Sequence, residues 1–433
     1  MAKNDTSREV YSLFTVCGIE IEYMVVDKAD RNVRSLVEAV LAGLEAGNAS
    51  CGEAMTGSAD LPVHERIAWS NELAAHVAEA KSPVPIASPA AMLAPLRAGV
   101  VRVNEMLAPL NARLMPSATH PWMDPARDAK LWPDDPEKIY AAFDRIFGCR
   151  THGWTNLQSV HINLPFATDE EFGRLHAAVR LVLPLIPALA AASPYLDGRF
   201  TGLMDARLET YRDNSRRIPA MTGRLIPEPV FTEQVYRDEI LDRIYAATKP
   251  FDPEGILRCE WANARGAIAR FDRNAIEIRV MDSQECPLAD LGLAHAVIET
   301  TRLLAEERFA PLCLLKAWDT ERLRRLFFAA VRHAELAVVD DADYAALFGL
   351  PAGCRFRDVW ERLLNLPEME HRAGALFAPV YETYLRRGPL ARRMTLRCGE
   401  NPDPARLMDL ADELCGCLAA DRLCRDQDSL NPV

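Results

Sequence analysis

The chain has 433 residues, 49% hydrophobic and 26% charged, enough to bury a large core in two or three domains. Its 62 acidic and 50 basic residues give a net charge of −12, which argues against a nucleic-acid or anionic-membrane surface. An anionic ligand would therefore need basic residues gathered locally.

Residues 1–10 lack the apolar centre of a signal peptide, and the sequence reads without an uninterrupted apolar run of about 18 residues. The expected location is cytoplasmic, with no membrane partner. Eleven cysteines are scattered without a Cys-x-x-Cys, the closest pair being Cys415-Gly-Cys417. They read as reduced core thiols and give no spacing for structural zinc.

The first strong element is the strand from Cys17 to Asp27. Its period of two places Ile19, Ile21, Tyr23 and Val25 on one face and Glu20, Glu22 and Met24 on the other. Two carboxylates about 6.7 Å apart on one strand face need a cation, or one must take up a proton. Taken alone, the pattern is better explained by an edge strand with a solvated acidic face. Ser35–Ala46 has helical spacing and is expected to stop at Gly47 and Asn48. Trp69–Val77 reads as a short strand carrying Glu72, and Ala90–Leu110 as a helix. Met115–Trp122 is expected to be a strand end and turn containing His120, and 124–135 a loop.

From Thr151 to Phe166 the pattern gives another strand, with Gln158 on one face and Ser159, His161 and Asn163 on the other. An imidazole among polar neighbours on a strand suits an oriented ligand, and equally a satisfied core histidine. Glu170–Ala192 is a helix that Pro184 and Pro187 should kink. Residues 193–232 read as a loop with Arg199, Arg207, Arg212, Arg216, Arg217 and Arg224, a cationic concentration able to grip carboxylate or phosphate. In Ile268–Asp282 a turn separates two strands, the second placing Glu277, Arg279 and Met281 on one face. A carboxylate beside a guanidinium is either a plain ion pair or what a metal-bound phosphate needs. Beyond about residue 289 the signals are helical, with helices expected at 290–309, 321–338, 359–364 and 404–423. Neither a P-loop nor a Gly-x-Gly-x-x-Gly motif occurs.

In order, the chain carries Glu20-x-Glu22, Asn71-Glu72-Leu73-Ala74, Thr119-His120-Pro121, Gln158-x-Val-His161, Ser193-Pro194-Tyr195, Thr201-Gly202, Arg207 and Glu277-x-Arg279-Val-x-Asp282. This set resembles the bacterial type-2 glutamate–cysteine ligases, carboxylate–amine ligases of glutamine synthetase-like fold, over roughly residues 15–300. Gly-Ile-Glu-Ile-Glu, Ala-Ala-Ser-Pro-Tyr and Glu-Ile-Arg-Val-Met-Asp carry most of the likeness. The group's usual Gln-His-Val-His is Gln158-Ser159-Val160-His161 here, and its Glu-Leu-Ala-Thr is Glu72-Leu73-Ala74-Ala75.

The resemblance implies an α+β fold, a curved antiparallel sheet of glutamine synthetase type with helices on its outer face, as a catalytic domain over 10–300; the helical signals make 301–433 a helical part packed on it. It implies ATP with Mg²⁺, or Mn²⁺, as cofactors. Glu22 and Glu72 would hold one ion, and Glu20, His161 and Glu277 another. Glu277, Arg279 and Arg270 would be catalytic, Arg279 and Arg265 would contact the nucleotide, and Arg207, Gln158 and His120 the substrates. Oxygen-rich, hard ligands are indeed what Mg²⁺ takes. The expected reaction joins an amino-acid carboxylate to an amine through an acyl phosphate, most simply as a γ-glutamyl ligase. A phosphotransferase of guanidino-kinase type and a non-catalytic nucleotide- or amino-acid-binding regulator are the alternatives, and a homodimer is compatible with the helical surface.

Overall fold

The computed structural model describes residues 9–48, 63, 66–370 and 376–424. Residues 1–8, which hold most of the stretch read for a leader, and Cys51 lie outside them. The strands are β1 (Gly18–Asp27), β2 (Ala68–Asn71), β3 (Val77–Lys81), β4 (Ala112–Met115), β5 (Ser159–Pro165), β6 (Tyr195–Leu196), β7 (Arg199–Phe200), β8 (Ala267–Arg270) and β9 (Ala275–Asp282). Seven form one open antiparallel sheet in the order β2-β3-β1-β5-β9-β8, with β4 pairing the second half of β1. The strands β6 and β7 make a separate hairpin.

The alternation in β1 explains its central place. Ile19, Ile21, Tyr23 and Val25 are fully buried, each contributing about 1.5–3 kcal/mol by leaving water. That face meets the helix Pro287–Ala305, to whose Asp290 the Tyr23 hydroxyl donates a 2.9 Å hydrogen bond. Burial, opposed by the Gln284 amide and Tyr23 hydroxyl, pushes the Asp290 carboxyl up from 3.8 to about 7. A raised carboxyl favours the folded chain fully below pH about 4, and this contribution is lost as pH rises through about 7, with a slope of at most about 1.4 kcal/mol per pH unit. Asp290→Asn is therefore expected to flatten the decline of urea midpoints between pH 4 and 7 relative to the unmodified chain.

Several elements differ from expectation for local reasons. Trp69–Val77 is not one strand: β2 ends at Asn71, and residues 72–76 turn into β3, braced by main-chain bonds from Ala75 to Lys130 and from Trp132 to Leu73. Residues 152–155 form a helical turn, so β5 begins only at Ser159. The Arg-rich segment contains the helix Ala206–Asp213, capped by Asp205, which accepts from the Leu208 amide. Gly47 and Asn48 complete their helix rather than stop it. The prolines at 184 and 187 do interrupt theirs, which changes to a 3-10 turn at Leu183–Leu185 before resuming at Ile186. Asp169–Ala190 is long and apolar enough to cross a membrane, but it is 94% buried within the fold. The expected boundary at residue 300 falls inside the Pro287–Ala305 helix, and one hydrophobic core includes Ile21, Val297, Trp360 and Leu418.

Candidate active site

Register gathers the charged residues on the sheet face opposite Tyr23. In β1, Glu20 lies opposite His161 of β5 and Lys81 of β3, while Glu22 lies opposite Glu79. Asn163 lies opposite Glu277 of β9, which in turn faces Ile268 of β8, placing Arg270 on the same side. Between Val160 and Ile162 the β5–β9 pairing shifts by one residue, so that Arg279 and Val280 together oppose His161. This bulge reverses the parity of β9. Met281, expected on the charged face, pairs with Val160, and Asp282 takes its place opposite Ser159.

The imidazole of His161 is the hub. Its Nδ1 lies 3.5 Å from Glu20 and 3.9 Å from Glu277, and its Nε2 lies 3.8 Å from Glu22. The Ser159 hydroxyl shares a 2.9 Å hydrogen bond with that Nε2, and the Ser159 amide donates to Glu22 at 2.9 Å. Asn163 donates to Glu20 at 3.2 Å. Glu277 accepts from Arg279 at 2.6 Å and from Arg270 at 3.2 Å. On β3, Glu79 accepts from Lys81 at 2.8 Å and from the Ser70 hydroxyl at 2.7 Å.

The protonation equilibria follow from this crowding. Burial works against the charge of Glu277, yet Arg279 and His161 hold its carboxyl below the usual range. Burial also opposes the charge of Glu20, which the hydrogen bond and charge of His161 outweigh, so it too lies low. His161 is displaced upward by Glu20, Glu22 and Glu277 despite its burial. Glu22 is raised by burial, Glu79 by burial and then Glu20, and Glu72 far up by burial and then Glu79, Glu22 and Glu20. Such carboxylates lack countercharge, which divalent cations would provide. The donor set fits: one ligand atom each from Glu20, Glu79 and His161 lies within 4.8 Å of the others, a mainly oxygen set suited to Mg²⁺ or Mn²⁺.

Glu79 is the functional candidate that sequence reasoning missed. Its signal was the alternation in Val77-Ala-Glu-Ala-Lys81, hidden because that stretch was not separated from the preceding turn. Of the expected site residues, Glu20, Glu22, Glu72, His161, Glu277, Arg270 and Arg279 come together. Three do not join them. His120 donates from Nε2 to the Arg31 carbonyl and accepts at Nδ1 from the Trp122 amide, so main-chain groups occupy both ring nitrogens. Gln158, on the apolar parity of β5, is fully buried and its side-chain amide finds no hydrogen-bond partner among the described residues. Arg265 is clamped by both oxygens of Glu228, at 2.6 and 2.7 Å.

Arg207, expected to contact substrate, is held in this structure by groups of the protein. It is 2% exposed, and its guanidinium binds Asp282 and the Arg279 carbonyl, close enough to Glu22 for its charge to favour that carboxylate. Asp282 also accepts from the Ala192 amide and the Ser193 hydroxyl, both at 2.8 Å. Burial and the neighbouring Asp282 raise Asp205 far above the usual carboxylate range. Asp282→Asn is expected to cost about 3 kcal/mol in urea unfolding, the low end for stranding a buried charge, because Asp205 can ionise in its place.

The fold as a whole is similar to that of two solved proteins. The glutamate–cysteine ligase of Francisella tularensis, solved with AMP, aligns with a TM-score of 0.56 and 12% identity over 95% of this chain and 90% of that one. A bifunctional glutathione synthetase from Pasteurella multocida gives a TM-score of 0.52 and 13% identity over 93% of this chain and 52% of its own. Residues 16–343 match the model of glutamate-cysteine ligase family 2, and the chain belongs to that family. An uncharacterized protein of Archaeoglobus fulgidus is 36% identical over 243 residues, 56% of this chain and 65% of the relative. The match thus spans just under two thirds of that relative's length.

Proposed function

We propose that this protein is an ATP-dependent carboxylate–amine ligase of glutamate–cysteine ligase type, built on a glutamine synthetase-like sheet. The carrying observation is one face on which Glu20, Glu22, Glu72, Glu79, His161 and Glu277 converge beside Arg279 and Arg270. Glu20, Glu79 and His161, with Glu22, Glu72 and Glu277 around them, would hold Mg²⁺ or Mn²⁺. When bound, the ions supply positive charge to the ATP phosphates. Arg279, anchored by Glu277 with Tyr211 beside it, would offer guanidinium N–H groups to the transferring phosphoryl group and stabilise the charge that develops there. Arg270 shares the Glu277 carboxylate and so fixes its orientation. Asn163 and Ser159 hold Glu20 and Glu22 in place, leaving less reorganisation for the reaction to accomplish.

The substrate carboxylate attacks the γ-phosphorus, ADP leaves, and the acyl phosphate then yields to an amine with release of phosphate. Glutamate with cysteine is the pair suggested by the family. The test is stoichiometry: one phosphate per ADP, both appearing only with carboxylate and amine present. ADP without free phosphate would instead identify a phosphotransferase.

A further inference from the structure

We propose that Glu413, Cys417 and Cys424 form a second metal site, for a thiophilic divalent cation of the zinc class, at the C-terminal end of the helix Pro404–Ala420. Glu413 and Cys417 are one turn apart and share a helix face. The helix ends at Asp421 with φ 44°, and the Arg422 amide donates back to the Cys417 carbonyl at 3.0 Å. That reversal returns Cys424 to the same face. The two sulfurs are 3.2 Å apart, Cys417 Sγ is 3.5 Å from Glu413 Oε1, and a ligand atom from each residue lies within 4.8 Å of the others.

The ligand chemistry differs from that of the acidic face. Two sulfurs and one carboxylate are a soft set that suits zinc and not Mg²⁺. Both cysteines are buried, whereas the Glu413 side chain is 20% exposed, which gives an ion an entry and leaves a fourth position for water. Arg422 donates at 2.8 Å to Glu413 Oε1, the oxygen that also faces Cys417 Sγ, and so holds the carboxylate against the two sulfurs. Binding releases the two thiol protons, so the divalent ion would face two thiolates and the Glu413 carboxylate, with Arg422 beside Glu413 and the Glu285 and Arg393 charges near Cys424.

The spacing Cys415-Gly-Cys417 concealed this arrangement. Cys415 points the other way, packing with Ala411 against Met24, Val26 and Met115 on the charged-face side of β1 and β4. Asp412 ties the same helix to Arg31 and Arg113. A metal at its end would staple the returning chain to the helix that covers the far half of β1.

The test uses the full chain, stripped with a chelator and then given Zn²⁺ with Mg²⁺ in excess to occupy the oxygen-rich face. Bound zinc is counted by mass spectrometry after gel filtration. One zinc per chain is expected, together with a rise in melting temperature. Both should disappear in C417S/C424S and persist in C313S, which alters an exposed cysteine on another helix. Glu413→Gln should weaken binding about tenfold or more while leaving the fold, followed by circular dichroism, unchanged. Two freely titrating thiols without zinc, a Cys417–Cys424 disulfide in the purified chain, or zinc retained in the double variant would each overturn the proposal.

Discussion

Glu277→Gln is expected to reduce metal-dependent ADP formation by about 10²–10³-fold or more while the sheet stays folded. Glu277 touches three of the groups that define the acidic face: Arg279 at 2.6 Å, Arg270 at 3.2 Å and His161 at 3.9 Å. Glutamine keeps the shape and one acceptor oxygen but removes the charge that anchors both guanidiniums and would ligate an ion. Its loss weakens two charged hydrogen bonds, at a cost of about 1–3 kcal/mol in stability. That should lower the melting temperature without unfolding the chain. Circular dichroism and coupled ADP release, measured on one preparation, separate the two effects. Near-normal turnover in a folded variant would remove Glu277 from the machinery.

Glu79→Gln should be almost as damaging to activity, with the opposite sign in stability. The carboxyl of Glu79 is raised by burial and by Glu20, with Lys81 only partly compensating, so its charge is a net burden to the metal-free chain. Glutamine relieves that burden, and the melting temperature without metal should stay level or rise. Mn²⁺ affinity, measured by calorimetry without nucleotide, should fall at least tenfold, since even groups that merely orient ligands are worth about 10–100-fold. A variant with unchanged Mn²⁺ affinity would exclude Glu79 from the ligand set.

Local alternation made the acidic face legible where the strands are long and regular. The expected strand over 17–27 and the paired strands within 268–282 correspond to β1 and to β8 with β9, including the turn between them. From those strands, the strand read within 151–166 and the family resemblance they support, the convergence of Glu20, Glu22, His161 and Glu277 was legible in the sequence. Glu79 was missed because β2 and β3 are only four and five residues long, too short to show where one ends and a turn begins. The exchange of Met281 for Asp282 was invisible for another reason: a bulge depends on how the partner strand pairs, not on the bulged sequence. Arg207, His120 and Arg265 belong to the residue types that bind substrates, and tertiary contacts decide that each is satisfied by the protein itself. A histidine held by two main-chain groups and an arginine gripped by a distant glutamate have no signature in the linear sequence.

The most direct test of the central claim is release of ADP and phosphate from ATP and Mg²⁺, first with glutamate alone and then with an amine panel beginning with cysteine, with product masses recorded. Sustained equimolar release is expected only when both a carboxylate and an amine are present, with a product whose mass is the sum of the two less one water. ATP left intact across a broad panel, by a protein that still binds nucleotide and metal, would contradict that claim.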